Sequence, residues 1–268
     1  MIVGIPVHNA FDTLFNAIDV CVAAAKAPEH LEFVLYDNGS LTKLEQAMDD
    51  RYSNAVFSYH VVRSETNVGV PVACNYMIDY AKNKNELFAA IMHSDTLIYQ
   101  QGWDIYLQGA FAATNAGVIG FYGADGIGTH DIYKNPYRLT QMIRIHTNAG
   151  IRCRLSPQVH GHQTFEEDLK ACTVLDGFFL ATNVNLRFDE ASPHHMYDND
   201  ICLESISAGY MNFILNMDCD HPGGATDSGT DWNTIFNRTK QQIHSDAHVH
   251  FYNKWAPGNR NITLPYFI

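Results

Sequence analysis

The sequence predicts an α/β fold: a mainly parallel sheet with helices on both faces, formed by one continuous domain. Three observations carry this. Short apolar runs alternate with segments of helical periodicity from residue 2 to residue 92, the pattern of strands joined by crossover helices. Several runs end in polar or acidic residues, and open α/β sheets bind ligands outside the carboxyl ends of their strands. The 268 residues are 46% hydrophobic and 17% charged, which supports a sizeable core and argues against disorder.

The elements follow in order. Ile2–Val7 is an apolar run stopped by His8-Asn9 and reads as a buried strand. Asp12 to Ala27 carries apolar residues at helical spacing, with Asp12 or Thr13 as N-cap. Leu31 to Tyr36 is a second strand, ended by the turn Asp37-Asn38-Gly39-Ser40. A helix over Lys43 to Asp50, a strand over Phe57 to Val62 and a helix over Val70 to Lys82 follow. Phe88 to Met92 is the fourth strand, and His93-Ser94-Asp95 comes directly after it.

Beyond residue 100 the pattern is less regular. Gly102 to Ala116 reads as a helix, Gly117 to Tyr122 as a strand, and the polar stretch Tyr133 to Gln163 as an insertion or flap. Gly177 to Thr182 is a strand. Asp200 to Gly209 is a helix with Gly209 past its end, and Asn212 to Leu215 is a strand. The tail from Asp227 holds one helix. No repeat or linker divides the chain.

The formal net charge of −12 argues against a broad phosphate-binding face and an anionic membrane surface. A metal ion would offset the repulsion between an acidic site and an anionic substrate. Cys21, Cys74, Cys153, Cys172, Cys202 and Cys219 are scattered without a C-x-x-C pair, which reads as buried thiols in a reducing compartment. Met1 to Pro6 lacks a basic leader and no run reaches the length of a membrane span. The expectation is a cytoplasmic protein with no integral membrane association.

Seven places are candidates for chemistry. Pro6-Val7-His8-Asn9 and Asp37-Asn38-Gly39-Ser40 lie where a nucleotide would sit, although the second alone is an ordinary turn. Asn67-Val68-Gly69, with Asn75 after it, opens a helix. It reads either as a cap or as a place where Gly69 lets backbone approach a ligand. Asp95 offers a carboxylate to a divalent cation, and His93 offers an imidazole to a ribose or a metal-bound water. Asp198-Asn199-Asp200 stands at a helix N-terminus, which favours negative charge; Asp200 suits the cap and leaves Asp198 to take a proton. His221 follows Asp218 and Asp220 and precedes a Pro-Gly-Gly turn. His244, His248 and His250 form a weaker metal motif, lacking the Glu a zincin requires.

In this order the motifs resemble the GT-A glycosyltransferases, specifically the inverting family 2 type. Ile5-Pro6-Val7-His8-Asn9 resembles the family opening, Tyr36-Asp37-Asn38-Gly39-Ser40 its D-N-G-S segment, and Asn67-Val68-Gly69 with Asn75 its N-x-G…N stretch. His93-Ser94-Asp95 stands where D-x-D is expected. Asp176-Gly177-Phe178-Phe179 resembles the segment before the acceptor site, and Tyr197-Asp198-Asn199-Asp200 with Gly209-Tyr210 the E-D-x-D…G-Y motif. His221 matches the late metal-binding histidine, and Lys254-Trp255 resembles a K-W-G tail. The resemblance runs from residue 2 to about residue 226.

The resemblance implies roles. Pro6, His8 and Asp37 would frame the base, Asp37 on a uracil or thymine N–H; Asn67, Asn75 and His93 would support the nucleotide. Asp95 and His221 would hold Mn²⁺ or Mg²⁺ on the diphosphate of a nucleoside-diphosphate-sugar donor, most simply a UDP-sugar. Asp198 would be the general base. Asp176, Gly177 and Trp103 would lie on the acceptor side, and Lys254 would close over the diphosphate. Residues 1–100 would form a nucleotide-binding half, 101–226 an acceptor half, and 227–268 a tail closing over the site. Two residues depart from the pattern: His93 replaces the first acid of D-x-D, and Tyr197 replaces the Glu of E-D.

Two rival readings fit the residues less well. A nucleotidyltransferase would grip a triphosphate with a glycine-rich basic loop, and Val7-His8-Asn9-Ala10 has neither Gly nor Lys. A catalytically silent binding module would lack the base or the metal ligand, and Asp198 and His221 are present. A carbohydrate acceptor is the main expectation. Lys134, Arg138, Arg144, Arg152 and Arg154 keep hydroxymethylated DNA as a minority acceptor.

Overall fold

The computed structural model describes residues 1–129, 142–155, 162–223, 232–255 and 262–263. The first half alternates as the apolar pattern predicts: β1 (Ile2–Val7), α1 (Phe11–Ala24), β2 (Glu32–Asn38), α2 (Leu44–Tyr52), β3 (Ser58–Ser64), α3 (Val70–Asn83) and β4 (Phe88–Met92). Helix α1 buries Leu14, Ala17, Ile18, Cys21 and Ala24, one face at helical spacing. Every residue of β4 is buried, as a strand covered on both faces must be.

The second half adds β5 (Leu97–Ile98), α4 (Trp103–Ala113), β6 (Ala116–Gly120), β7 (Tyr122–Thr129), β8 (Met142–Gly150), β9 (Gln163–Phe165), β10 (Leu169–Cys172), β11 (Val174–Leu175) and β12 (Phe179–Asn183). Then come α5 (Tyr197–Ser207), β13 (Met211–Leu215), β14 (Cys219–Asp220), α6 (Trp232–Phe236), α7 (Lys240–Trp255) and β15 (Ile262–Thr263).

The main sheet has eight strands in the order β10-β13-β6-β12-β4-β1-β2-β3. β4, β1, β2 and β3 run parallel, while β12 is antiparallel to both β4 and β6. The two expected halves therefore share one sheet, with β12 as the joint between them. A second sheet holds β11-β7-β8-β9 with β15 on β7, and β14 pairs β5.

Three expectations change. The 133–163 stretch contains β8 and the start of β9; β8 is paired along β7 from Tyr122↔Ala149 to Thr129↔Met142. Its partner β7, Tyr-Gly-Ala-Asp-Gly-Ile-Gly-Thr, is too glycine-rich to read as a strand, so pairing rather than propensity forms it. Residues 133–141 and 156–161 of that stretch lie outside the described residues. The tail has two helices among its described residues. Met196, at φ 62°, is the N-cap of α5, so Asp198 and Asp200 both fall inside its first turn.

The six cysteines are free and buried. No helix of the described residues is long and apolar enough to cross a membrane.

Candidate active site

The site forms at the carboxyl ends of β1, β2 and β4, where the strands' last side chains meet the turn before α5. A cleft of about 290 Å³ is lined there by Pro6, His8, Asn38, Asn67, His93, Ser94, Asp95, Asp176, Gly177, Asp198 and His221, with residues 194–197 as one wall. That volume is near the low end of ligand sites.

The β1 end is fixed by a single histidine tautomer. His8 donates from Nδ1 to the Asn38 carbonyl at 2.9 Å, so its Nε2 accepts from the Asn9 amide at 3.1 Å. The Asp37-Asn38-Gly39-Ser40 turn needs Gly39, at φ 73° and with Asn67 N 2.6 Å from where a Cβ would stand. Asn38 Oδ1 accepts from Val68 N at 2.7 Å and its amide donates to the Gly69 carbonyl at 3.2 Å, tying this turn to the start of α3. Gly69, at φ 93°, is needed for a close approach to Pro193 rather than to a ligand: Val70 N donates to the Pro193 carbonyl at 2.8 Å.

At the end of β4, Asp95 Oδ1 lies 3.2 Å from His221 Nε2. The His221 ring stacks on Phe178 with centroids 4.8 Å apart. One ligand atom each from His93, Asp95 and His221 lies within 4.8 Å of the others, the span of a metal site. Burial holds the His93 imidazole down at about 4, with His221 adding to the effect. His93 Nε2 is 2.8 Å from the Tyr197 hydroxyl. The two positions that depart from the family pattern are therefore bonded to each other. Ser94 Oγ is buried in this cleft without a hydrogen-bond partner among the described residues.

Asp198 is saturated with donors. Oδ1 accepts from Asn199 N at 2.8 Å and the Asn199 amide at 2.7 Å; Oδ2 accepts from Gly177 N at 3.1 Å and Arg144 Nη2 at 2.7 Å. Arg144 Nη1 also donates to Asp176 at 2.5 Å, so one guanidinium from β8 bridges both carboxylates. Burial pushes the Asp198 carboxyl above its ordinary range, with Arg144 opposing and Asp176 adding to the rise. Burial would raise Asp176 too, but Arg144 outweighs it and holds that carboxyl below the ordinary range.

Four expected site residues sit elsewhere. Asp37 is buried and spends its carboxylate on Ser40 N, Leu44 N and an ion pair with Arg63. The parallel register sets Asp37 opposite Arg63, which leaves no free edge for a base N–H. Asn75 bonds Phe188 N and O and Glu190, bracing the loop that leads to the 194–197 wall without lining the cleft. Trp103 is buried in the core, donating to the Cys21 carbonyl at 2.9 Å, because the α4 start packs on α1; it does not line the cleft. Lys254 pairs with Asp189, Asp200 and Glu204, and Trp255 donates to Asp200 at 2.6 Å. The described tail thus backs the α5 wall rather than closing over the cleft. In the His244–His248 motif, His248 Nε2 lies 3.2 Å from His244 Nε2, while His250 pairs with Asp189.

Arg144 is the residue that sequence reasoning misses as part of the site. It reads as one cation in a basic stretch, and its partners lie 32 and 54 positions away.

A family model described as "Glycosyl transferase family 2" matches residues 2–164. The chain belongs to that family. No curated protein matches it by sequence. Among solved structures, S. aureus TarS 1-349 in complex with UDP-GlcNAc superposes with TM-score 0.53 at 14% identity, covering 85% of this chain and 61% of that one. S. aureus TarS 1-349 gives TM-score 0.53 at 15% identity, over 82% of this chain and 59% of that one. The mannosyltransferase PcManGT from Pyrobaculum calidifontis, in complex with GDP-Man and Mn²⁺, gives 0.54 at 16% identity, over 95% and 70%. The chain thus spans about three-fifths of the TarS 1-349 structures. The fold is that of GT-A glycosyltransferases, as the motif order predicts.

Proposed function

We propose that this protein transfers a sugar from a nucleoside-diphosphate-sugar, UDP-linked in the first instance, to an acceptor hydroxyl with inversion. The observation that carries the reading is the convergence in one cleft of the Asp95–His221 pair, 3.2 Å apart, with the partly buried carboxylate of Asp198.

The donor's base would lie against Pro6, His8, Asn38 and Asn67, with its diphosphate toward Asp95 and His221. Those two residues, a carboxylate and an imidazole beside a Ser94 hydroxyl that has no hydrogen-bond partner among the described residues, fit Mn²⁺ or Mg²⁺. A divalent ion bound there supplies charge to stabilise the leaving diphosphate. Asp198 takes the proton from the attacking hydroxyl, which approaches the anomeric carbon opposite the leaving group. An α-linked donor then gives a β-linked product, and no covalent intermediate is needed.

For Asp198 to reach an acceptor it must exchange a present donor. The Arg144 contact is the one to exchange, because Asn199 N and Gly177 N belong to fixed backbone. Asp176 remains to hold the displaced guanidinium.

A carbohydrate acceptor is favoured over DNA by the arginines. Arg144 pairs with Asp176 and Asp198, Arg152 with Asp168, and Arg154 with Asp218, so this basic stretch is locally neutralised. Lys134 and Arg138 lie outside the described residues. The test is a panel of nucleotide-sugars with Mn²⁺, scored for release of nucleoside diphosphate. The reading expects one nucleotide class to be cleaved and EDTA to stop the release. Undiminished release in EDTA would remove the metal from the reading, and loss of every donor by a folded protein would remove the transfer.

A further inference from the structure

We propose that His93 is a third metal ligand, held in place by Tyr197, and that the resulting two-imidazole, one-carboxylate set makes the site select a transition-metal ion over Mg²⁺. The inference rests on the metal site of the preceding reading and adds which residues complete it and which ion it takes.

The geometry comes first. His93, Asp95 and His221 each offer one ligand atom within 4.8 Å of the other two. The backbone fixes His93 independently of any ion: its N–H donates to the Phe178 carbonyl at 2.9 Å. Phe178 also stacks on His221, so one residue orients both imidazoles, whose centroids are 5.4 Å apart. Tyr197 holds His93 Nε2 at 2.8 Å. An outer hydrogen bond on one ring nitrogen is the usual device that turns the other nitrogen of a histidine toward a metal. Tyr197 is itself buried, and Gly177 faces it so closely that a Cβ there would stand 2.5 Å from its hydroxyl. The His93–Tyr197 contact is thus locked by packing.

The donor chemistry then sets the ion. Mg²⁺ takes oxygen ligands and keeps its waters, whereas sites with imidazole nitrogen bind first-row transition ions with affinity rising from Mn²⁺ through Fe²⁺ to Co²⁺. His93 and His221 are neutral nitrogen donors, so Asp95 brings the one carboxylate charge of the set. The affinity that remains comes from nitrogen donation more than from charge, which penalises Mg²⁺ most.

The test uses the full chain with UDP present and reads metal binding directly. Mn²⁺ bound to wild-type protein should show two coupled imidazole nitrogens by electron spin-echo spectroscopy, and one in His93→Gln. Mn²⁺ and Co²⁺ should bind more tightly than Mg²⁺ by about tenfold or more, and His93→Asp should narrow that ratio. Tyr197→Phe, which leaves every ligand in place, should weaken Mn²⁺ binding about tenfold or more. Thermal melts of each variant establish that it is folded. A single coupled nitrogen in wild-type protein, or a Mn²⁺ to Mg²⁺ ratio untouched by His93→Asp in a folded variant, overturns the inference and leaves the Asp95–His221 site standing. No metal binding in wild-type protein, with or without UDP, overturns both.

Discussion

On the proposed reading Asp198 carries the chemistry at the residue scale, and its surroundings dictate how it responds to pH. Burial raises its carboxyl above the ordinary value of about 3.9, and a proton acceptor must be ionised. Transfer should therefore fall on the acid side through a limb lying above that value. Arg144 is the opposing influence, so Arg144→Met should move the limb further up in pH, as a pH–rate profile would read. The same change strands two carboxylates beside the cleft and should cost about 3 kcal/mol of stability in denaturant unfolding. Asp198→Asn should lower the transfer rate about 100-fold or more while leaving donor affinity unchanged, measured by titration calorimetry with UDP. Parts of this site were legible in the sequence and parts were not. The motif order predicts Asp95 beside His221, and their side chains are 3.2 Å apart. Arg144 was not legible, because no local pattern joins it to partners on other elements. The pairing of Asp37 is hidden for a related reason: Arg63 becomes its neighbour only through the β2–β3 register.

Among the elements, α7 shows how the tail serves the site from behind. Ile243, Ala247, His248 and Phe251 form its buried face. His248 Nδ1 accepts from Met142 N at 3.0 Å, joining α7 to the start of β8, the strand that carries Arg144. That bond needs a neutral imidazole, and burial, with His244 and His195 adding, holds His248 down at about 4. An unfolded histidine titrates near 6.5, so between about 6.5 and 4 the unfolded chain binds the extra proton and stability falls as pH falls. Hydrogen exchange across α7 should quicken over that window, and His248→Gln should flatten the response. Lys254→Met should lower the melting temperature through lost pairing with α5 and leave UDP affinity unchanged; a large loss of UDP affinity would return Lys254 to the diphosphate. Strands and helices of the first half were legible because apolar spacing alone specifies them. The β7–β8 hairpin was not, since glycine-rich β7 gains its order only from its partner.

Across the whole molecule, β12 lies antiparallel between β4 and β6 and joins the two halves into one sheet. The cleft depends on both: His93 and Asp95 follow β4, while Asp198 lies in the first turn of α5 and His221 follows β14. The described lining of the cleft comes from both halves, so on the proposed reading metal, donor and base should be lost together on unfolding. The measurement that tests the account most directly is the anomeric form of the sugar first released from an α-linked donor, with water as acceptor, followed by proton NMR before mutarotation. The account predicts the β anomer, formed only with a divalent metal and absent from Asp198→Asn. Initial release of the α anomer, or equal release by Asp198→Asn, would contradict it.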